Sequence, residues 1–227
     1  MREIAVLMAA GLGSRMRPLT DRIAKPLVEV RGTPLIETVV AALKKRGVEG
    51  IYVVVGYKKE QFGYLEAKYP GLHLIENKVY LTKNNVSSLA AAADVMGTAD
   101  CFVCEADLFI PDDSLLCRPL GQSGYFGKMV KGESDDWVFD FNGTKITGVH
   151  KYGTDCFNMV GISFFKQGDA AKIAEACRAA AENPDDYQLF WDDVVNRMTD
   201  DLSLTIHEVA PDEIVECDTV EDLEKLQ

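Results

Sequence analysis

The chain is short of positive charge, histidine, tryptophan and long apolar runs, and each shortage removes a class of function. Its 24 lysines and arginines face 36 aspartates and glutamates, a formal net charge of −12. A surface of that sign repels a polyphosphate backbone, so general nucleic-acid binding is excluded. No apolar run approaches the roughly 18 to 20 residues that cross a bilayer, which excludes insertion as a membrane helix. The three histidines, His73, His150 and His207, stand far apart, and no nucleophile or metal set is spaced around them. The six cysteines lack the dense spacing of a disulfide framework and read as reduced thiols of a cytoplasmic protein. Cys101 and Cys104 have a metal-like spacing, but strand positions three apart face opposite ways, so both read as core.

What remains is an ordinary globular composition, 227 residues that are 47% hydrophobic, which points to one domain spanning 1–227. Ile4 to Met8 is an apolar run bounded by Gly11 and Gly13, the pattern of a buried parallel strand entering a turn. Pro34 to Arg46 has helical apolar spacing, with Pro at its start and Gly47 after a basic last turn. Ile51–Val55 is a second buried strand, Lys59 to Tyr69 an amphipathic stretch, and Leu72–Glu76 a third strand. This alternation predicts an α/β fold with a mostly parallel central sheet flanked by helices. Further on, Ser87 to Met96 reads as a helix, Cys101–Cys104 as a strand leading to Asp107, and Asp169 to Glu182 as a helix. From about residue 111 to 155 the pattern turns to short strands punctuated by Gly, with Asn142-Gly143 as a hairpin turn. This stretch is expected to be a small β-rich insertion covering the sheet edge.

The loop after the first strand reads Ala9-Ala10-Gly11-Leu12-Gly13-Ser14-Arg15. Glycines there let backbone N–H groups approach phosphate oxygens, and Arg15 and Lys25 supply compensating charge. It is neither a Walker A loop nor a dinucleotide fingerprint, since Met16 stands where the latter needs its third Gly. Asp107 after a strand, and Glu216 with Asp218 after a late apolar segment, are candidate Mg2+ ligands; singly, each also reads as a loop cap or a solvent-facing acid. Both tryptophans adjoin paired acids, in Asp135-Asp136-Trp137 and Trp191-Asp192-Asp193. Aromatic faces beside carboxylates hold a quaternary ammonium, which has no N–H to donate. The alternative is a pair of half-buried core tryptophans beside solvated acids.

The run Gly11-Leu-Gly-Ser-Arg-Met-Arg-Pro-Leu-Thr20, followed by Lys25-Pro26, resembles the signature of the sugar-phosphate nucleotidyltransferase superfamily. Within it, Val55-Gly-Tyr57, Asn84-Asn-Val-Ser-Ser-Leu89, Glu105-Ala-Asp107, Phe190-Trp-Asp-Asp193 and Glu216-Cys-Asp-Thr-Val220 occur in the order seen in bacterial choline-phosphate cytidylyltransferases. The resemblance implies a Rossmann-like nucleotidyltransferase fold. It implies a nucleotide site including Leu7, Ala9, Ala10, Gly11, Gly13, Ser14, Gly56, Tyr57, Asn84, Asn85, Ser87, Glu105 and Ala106, with Lys25 and Arg15 as catalytic cations. An alternative for Asn84, Asn85 and Ser87 is a polar turn capping the following helix. Acceptor binding falls to Trp137, Tyr187, Trp191, Asp192 and Glu216, with Phe190 and Tyr152 as further walls, and metal binding to Asp107, Glu216 and Asp218.

The activity this implies is transfer of CMP from CTP to phosphocholine, giving CDP-choline and pyrophosphate with Mg2+ as cofactor. The nearest alternative is a cytidylyltransferase for 2-aminoethylphosphonate, whose primary ammonium would rely on carboxylates more than on an aromatic cage. A sugar-phosphate nucleotidyltransferase and a non-catalytic nucleotide-binding regulator are more distant readings.

Overall fold

A computed structural model describes residues 2–227. In chain order its strands are β1 (Glu3–Ala9), β2 (Glu29–Val30), β3 (Thr33–Pro34), β4 (Gly50–Val55), β5 (Leu72–Glu76), β6 (Asp100–Glu105), β7 (Leu108–Phe109), β8 (Gly124–Asn142), β9 (Lys145–Phe165), β10 (Thr205–Glu208) and β11 (Val215–Glu216). The α-helices are α1 (Leu35–Arg46), α2 (Tyr64–Lys68), α3 (Val86–Ala91), α4 (Ala93–Met96), α5 (Gln167–Glu182), α6 (Trp191–Asn196) and α7 (Val220–Leu226). Seven strands form the central sheet in the order β10-β8-β9-β6-β1-β4-β5. β1 runs parallel to β4 and β6, as β5 does to β4 and β10 to β8; only β9 is antiparallel to its neighbours β6 and β8. The fold is therefore the expected α/β architecture with a mostly parallel sheet.

Alternation along the strands builds a core on each face. Leu7 packs with Ile36, Val39 and Leu43 of α1, while Val6 and Val103 pack with Leu89 of α3, Ile173 of α5 and Val194 of α6. Cys101 and Cys104 divide between the two cores, so both are structural thiols. α1 begins after Pro34, carries Glu37 in its first turn and ends on Lys44, Lys45 and Arg46, each charge complementing the helix dipole. Full burial of Ile36, Val39 and Leu43 contributes about 1.5–3 kcal/mol each. All six cysteines are free thiols, and among the described residues no helix is long and apolar enough to cross a membrane.

The β-rich region departs from the expected short strands and from the expected boundaries of 111 and 155. It is one long hairpin, β8 and β9, whose root joins the central sheet beside β6. Its glycines lie at register shifts within long strands instead of between short ones. The hairpin loop is Gly143-Thr144, one position beyond an Asn-Gly turn, because Asn142 pairs with Lys145. The helix expected over 87–96 breaks at Ala92 into α3 and α4, and the amphipathic stretch from Lys59 holds only a 3-10 turn and the short α2.

Candidate active site

Two adjoining cavities open at the carboxyl ends of β1 and β6. The smaller, about 390 Å³, lies between the Gly11–Arg15 loop and Lys25. The larger, about 560 Å³, lies under the β8–β9 hairpin and is walled by Trp137, Phe190 and several carboxylates. Arg15, Asp107 and Asp218 line both, so they stand at the junction.

The loop owes its shape to close packing on Lys25. Gly13 has φ +61°, and a Cβ there would lie 2.8 Å from Lys25 Cβ, so neither the backbone nor the space admits a side chain. Thr20 Oγ1 donates to the Gly13 carbonyl at 2.8 Å, the Tyr57 N–H donates to Ala10 O at 3.1 Å, and the Tyr57 hydroxyl donates to Thr20 O at 2.9 Å. Lys25 Nζ then lies 2.5 Å from Asp107 Oδ2 and 2.5 Å from Asp218 Oδ1, while Arg15 Nη2 lies 2.7 Å from the same Asp218 oxygen. Burial alone would lower the Lys25 pKa, but Asp107 and Asp218 outweigh it and hold the ammonium above its ordinary value. Lys25 is thus a fixed cation, unsuited to act as a general base.

Strand pairing brings the carboxylates together from distant parts of the chain. β6 ends at Glu105, and β11 pairs with β7 so that Glu216 stands opposite Leu108. The Cys217 N–H donates to the Asp107 carbonyl at 3.1 Å. Carboxylate oxygens of Glu105, Asp107 and Glu216 lie within 4.8 Å of one another. Gly161, at φ +75°, makes room for them, since a Cβ there would meet Leu108 Cδ2 at 2.9 Å and Glu105 Cβ at 3.3 Å. Burial, then Asp107 and Asp218, push Glu216 up to about 8, and burial with Glu216 and Asp107 raises Glu105 well above the carboxylate range. Asp107 Oδ1 is buried without a hydrogen-bond partner among the described residues. Crowded, desolvated oxygens with one left unpartnered fit a hard divalent cation.

The larger cavity has an aromatic wall on its hairpin side. Trp137 and Phe190 meet edge to face with centroids 5.5 Å apart, and Lys151 Nζ lies over both rings. The lining also includes Asp192, which is buried, accepts the Tyr125 hydroxyl at 3.3 Å and is pushed up to about 8, chiefly by burial. The start of α6 sets this arrangement. Asp193 Oδ2 accepts the Phe190 N–H at 2.8 Å, and each further residue turns by about 100°, which separates Phe190, Trp191 and Asp192 onto different faces.

The chain shares this architecture with known proteins. A family model described as a MobA-like NTP transferase domain matches residues 5–126. A 2-aminoethylphosphonate cytidylyltransferase from Lancefieldella rimae is 49% identical over 220 residues, covering 96% of this chain and 89% of that protein. The chain belongs to the MobA-like NTP transferase family. A choline-phosphate cytidylyltransferase from Streptococcus pneumoniae is 33% identical over 227 residues, covering 98% of this chain and 96% of that one. A solved structure of a CTP:phosphocholine cytidylyltransferase from the same species superposes with a TM-score of 0.91 at 32% identity, covering 100% of this chain and 98% of that one. The chain is thus a nucleotidyltransferase, and the sequence resemblance to bacterial cytidylyltransferases stands.

The nucleotidyltransferase fold gathers many of the expected site residues but not all. Ala9, Gly11, Gly13, Ser14, Arg15, Lys25 and Asn84 line the smaller cavity; Asn85, Glu105, Trp137, Asp192 and Glu216 line the larger. Leu7 and Ala106 are core residues, Ala10 offers its carbonyl to Tyr57, and Gly56 packs on Tyr80. Ser87 is buried, its hydroxyl donating to Asn84 O and accepting from Asn77, and among the described residues no side chain caps the start of α3. Asn85 Oδ1 accepts the Trp191 N–H at 2.9 Å and so ties α3 to α6. Trp191 does not join the acceptor wall, because its indole is 3% exposed and packs in the core. Tyr187 turns away beneath Lys83, whose ammonium lies 4.0 Å from its ring centroid, and Tyr152 is exposed on the hairpin. Lys151 and Gly161 carry no sequence motif; Lys151 emerges only from the pairing of β8 with β9, and Gly161 from that of β9 with β6.

Proposed function

We propose that this nucleotidyltransferase transfers CMP from CTP to 2-aminoethylphosphonate, giving the cytidylylated phosphonate and pyrophosphate. The observation that carries the choice is identity over nearly the whole chain, 49% to a 2-aminoethylphosphonate enzyme against 33% to a choline-phosphate enzyme. The cavity supports it. With Trp191 in the core, the paired-tryptophan cage that favours phosphocholine is not formed, and carboxylates dominate the wall. A primary ammonium donates three N–H bonds, and Asp192 and Asp136 provide acceptors for it. The reducing cytoplasm suits the six free thiols.

The triphosphate would lie along Gly11, Gly13 and Ser14, with the base toward Asn84 and the acceptor in the larger cavity. A phosphonate oxygen attacks the α-phosphorus in line; the new P–O bond forms as the bond to the β-phosphate oxygen breaks and pyrophosphate leaves. The phosphonate is already anionic at neutral pH, so no protein nucleophile is needed. Lys25 and Arg15 hold two repelling anions together and offset the charge developing between them. Asp107 and Glu216 would hold Mg2+, with Glu105 beside them and Asp218 tethering Lys25 and Arg15. A divalent ion held there would add its charge to those of Lys25 and Arg15 and supply Lewis-acid stabilisation of the developing negative charge.

The direct test is phosphorus NMR of purified protein with CTP, Mg2+ and 2-aminoethylphosphonate. The reading predicts pyrophosphate and a phosphonate resonance shifted by its new anhydride; turnover only with a sugar phosphate would overturn it. A second reading, phosphocholine as acceptor, keeps support from the Trp137 and Phe190 faces.

A further inference from the structure

Trp137 and Lys151 are cross-strand partners in the β8–β9 hairpin. This pairing brings the Lys151 ammonium to 5.4 Å from the Trp137 ring centroid and 4.9 Å from that of Phe190. Both rings and the ammonium line the larger cavity. The cavity thus contains the kind of site that takes a quaternary ammonium, and a cation of the protein already stands in it. A quaternary ammonium depends on such faces because it has no N–H to donate, whereas a primary ammonium satisfies itself on carboxylates. Residues Asp135 and Asp136 precede Trp137 on the same strand and also line the cavity, yet no ion pair holds Lys151 among the described residues; its ammonium lies against the two rings.

We infer that Lys151 is a specificity-determining residue: stacked on Trp137 and Phe190, its ammonium withholds the aromatic faces from a quaternary ammonium and leaves the cavity to acceptors that carry a primary one. This rests on the cationic acceptor proposed above. A quaternary ammonium would have to displace Lys151 and also meet its repulsion at short range. A primary ammonium meets the same charge but needs no aromatic face, and it can donate N–H bonds to the carboxylates that line the cavity.

Lys151→Met tests the inference, since it keeps an apolar stem on the rings and removes only the charge. kcat/KM is measured with 2-aminoethylphosphonate and with phosphocholine for the wild type, Lys151→Met, and Lys151→Met combined with Trp137→Leu. The expected result is a rise of about tenfold in the ratio of phosphocholine to 2-aminoethylphosphonate in the single variant, reversed in the double variant. A ratio that does not move overturns the inference, as does an equal loss with both acceptors, which would assign Lys151 to their shared phosphorus group. Lys151→Gln repeats the measurement if the Met variant melts early. Wild-type turnover with neither amine would overturn the functional reading and the inference together, whereas wild-type turnover with an unmoved ratio overturns the inference alone.

Discussion

The indole of Trp191 stacks on the ring of Tyr125, with centroids 5.5 Å apart and planes inclined by 21°, and meets Phe165 edge to face. A residue that adjoins Asp192 in sequence is therefore part of the core and not of the larger cavity's lining. Trp191→Ala is expected to lower stability by about 3–5 kcal/mol in a denaturant titration. Trp137→Ala, at the cavity wall, is expected to change acceptor KM with a much smaller effect on stability. A fully stable Trp191→Ala protein with altered acceptor choice would return that tryptophan to the wall.

Lys25 joins Asp107 to Asp218 at the junction of the two cavities. Its replacement by Ala is expected to reduce turnover by roughly 10²–10³-fold, the loss typical of one preorganised charge-stabilising donor. The protein should keep its circular dichroism spectrum. Normal turnover in that variant would remove Lys25 from the chemistry.

Asp107 and Glu216 share the carboxylate cluster, and Asp107 keeps its Oδ1 unpartnered although its Oδ2 meets Lys25, while Asp218 is engaged by both Lys25 and Arg15. Asp107→Asn is expected to abolish activity at ordinary Mg2+, and Glu216→Gln to raise the Mg2+ concentration for half-maximal rate. Calorimetric titration of Mg2+ into the protein with CTP checks the same point without turnover. Unchanged Mg2+ affinity in both variants would place the ion elsewhere.

Away from the site, the buried Glu37 carboxylate accepts from the Tyr64 hydroxyl at 2.9 Å, from the Tyr69 hydroxyl at 2.5 Å and from Lys68. Burial would raise its pKa, but these donors outweigh it and hold it below the ordinary value. The folded state then binds this proton less readily than the unfolded one, so the stabilisation is complete above the ordinary carboxylate pKa and is lost as pH falls through the lowered one. Glu37→Gln is expected to cost about 1–3 kcal/mol near neutrality. Its deficit should shrink as pH falls below the ordinary carboxylate range. A deficit independent of pH would assign the effect to packing.

Local patterns in the sequence carried the sheet. The buried run Ile51–Val55 falls in β4, Leu72–Glu76 coincides with β5, and the Pro34 to Arg46 pattern yields α1 at Leu35–Arg46, because period and capping are properties of neighbouring residues. The loop and Lys25 were legible for the same reason. The acceptor wall was not: adjacency of a tryptophan and an acid says nothing about which face of a helix start each occupies, and Trp191 and Asp192 diverge there. Lys151 reaches Trp137 only through the register of a bulged hairpin, and Glu216 reaches Asp107 only through the pairing of β7 with β11. Glycines inside long strands look like turns when read one residue at a time, which is why β8 and β9 read as a set of short strands.

The most direct measurement is a competition: equal concentrations of 2-aminoethylphosphonate and phosphocholine with CTP and Mg2+ in one reaction, the two cytidylylated products counted by mass spectrometry at early times. The cytidylylated aminoethylphosphonate should predominate. Predominance of CDP-choline, or pyrophosphate release with neither product formed, would contradict the proposed function.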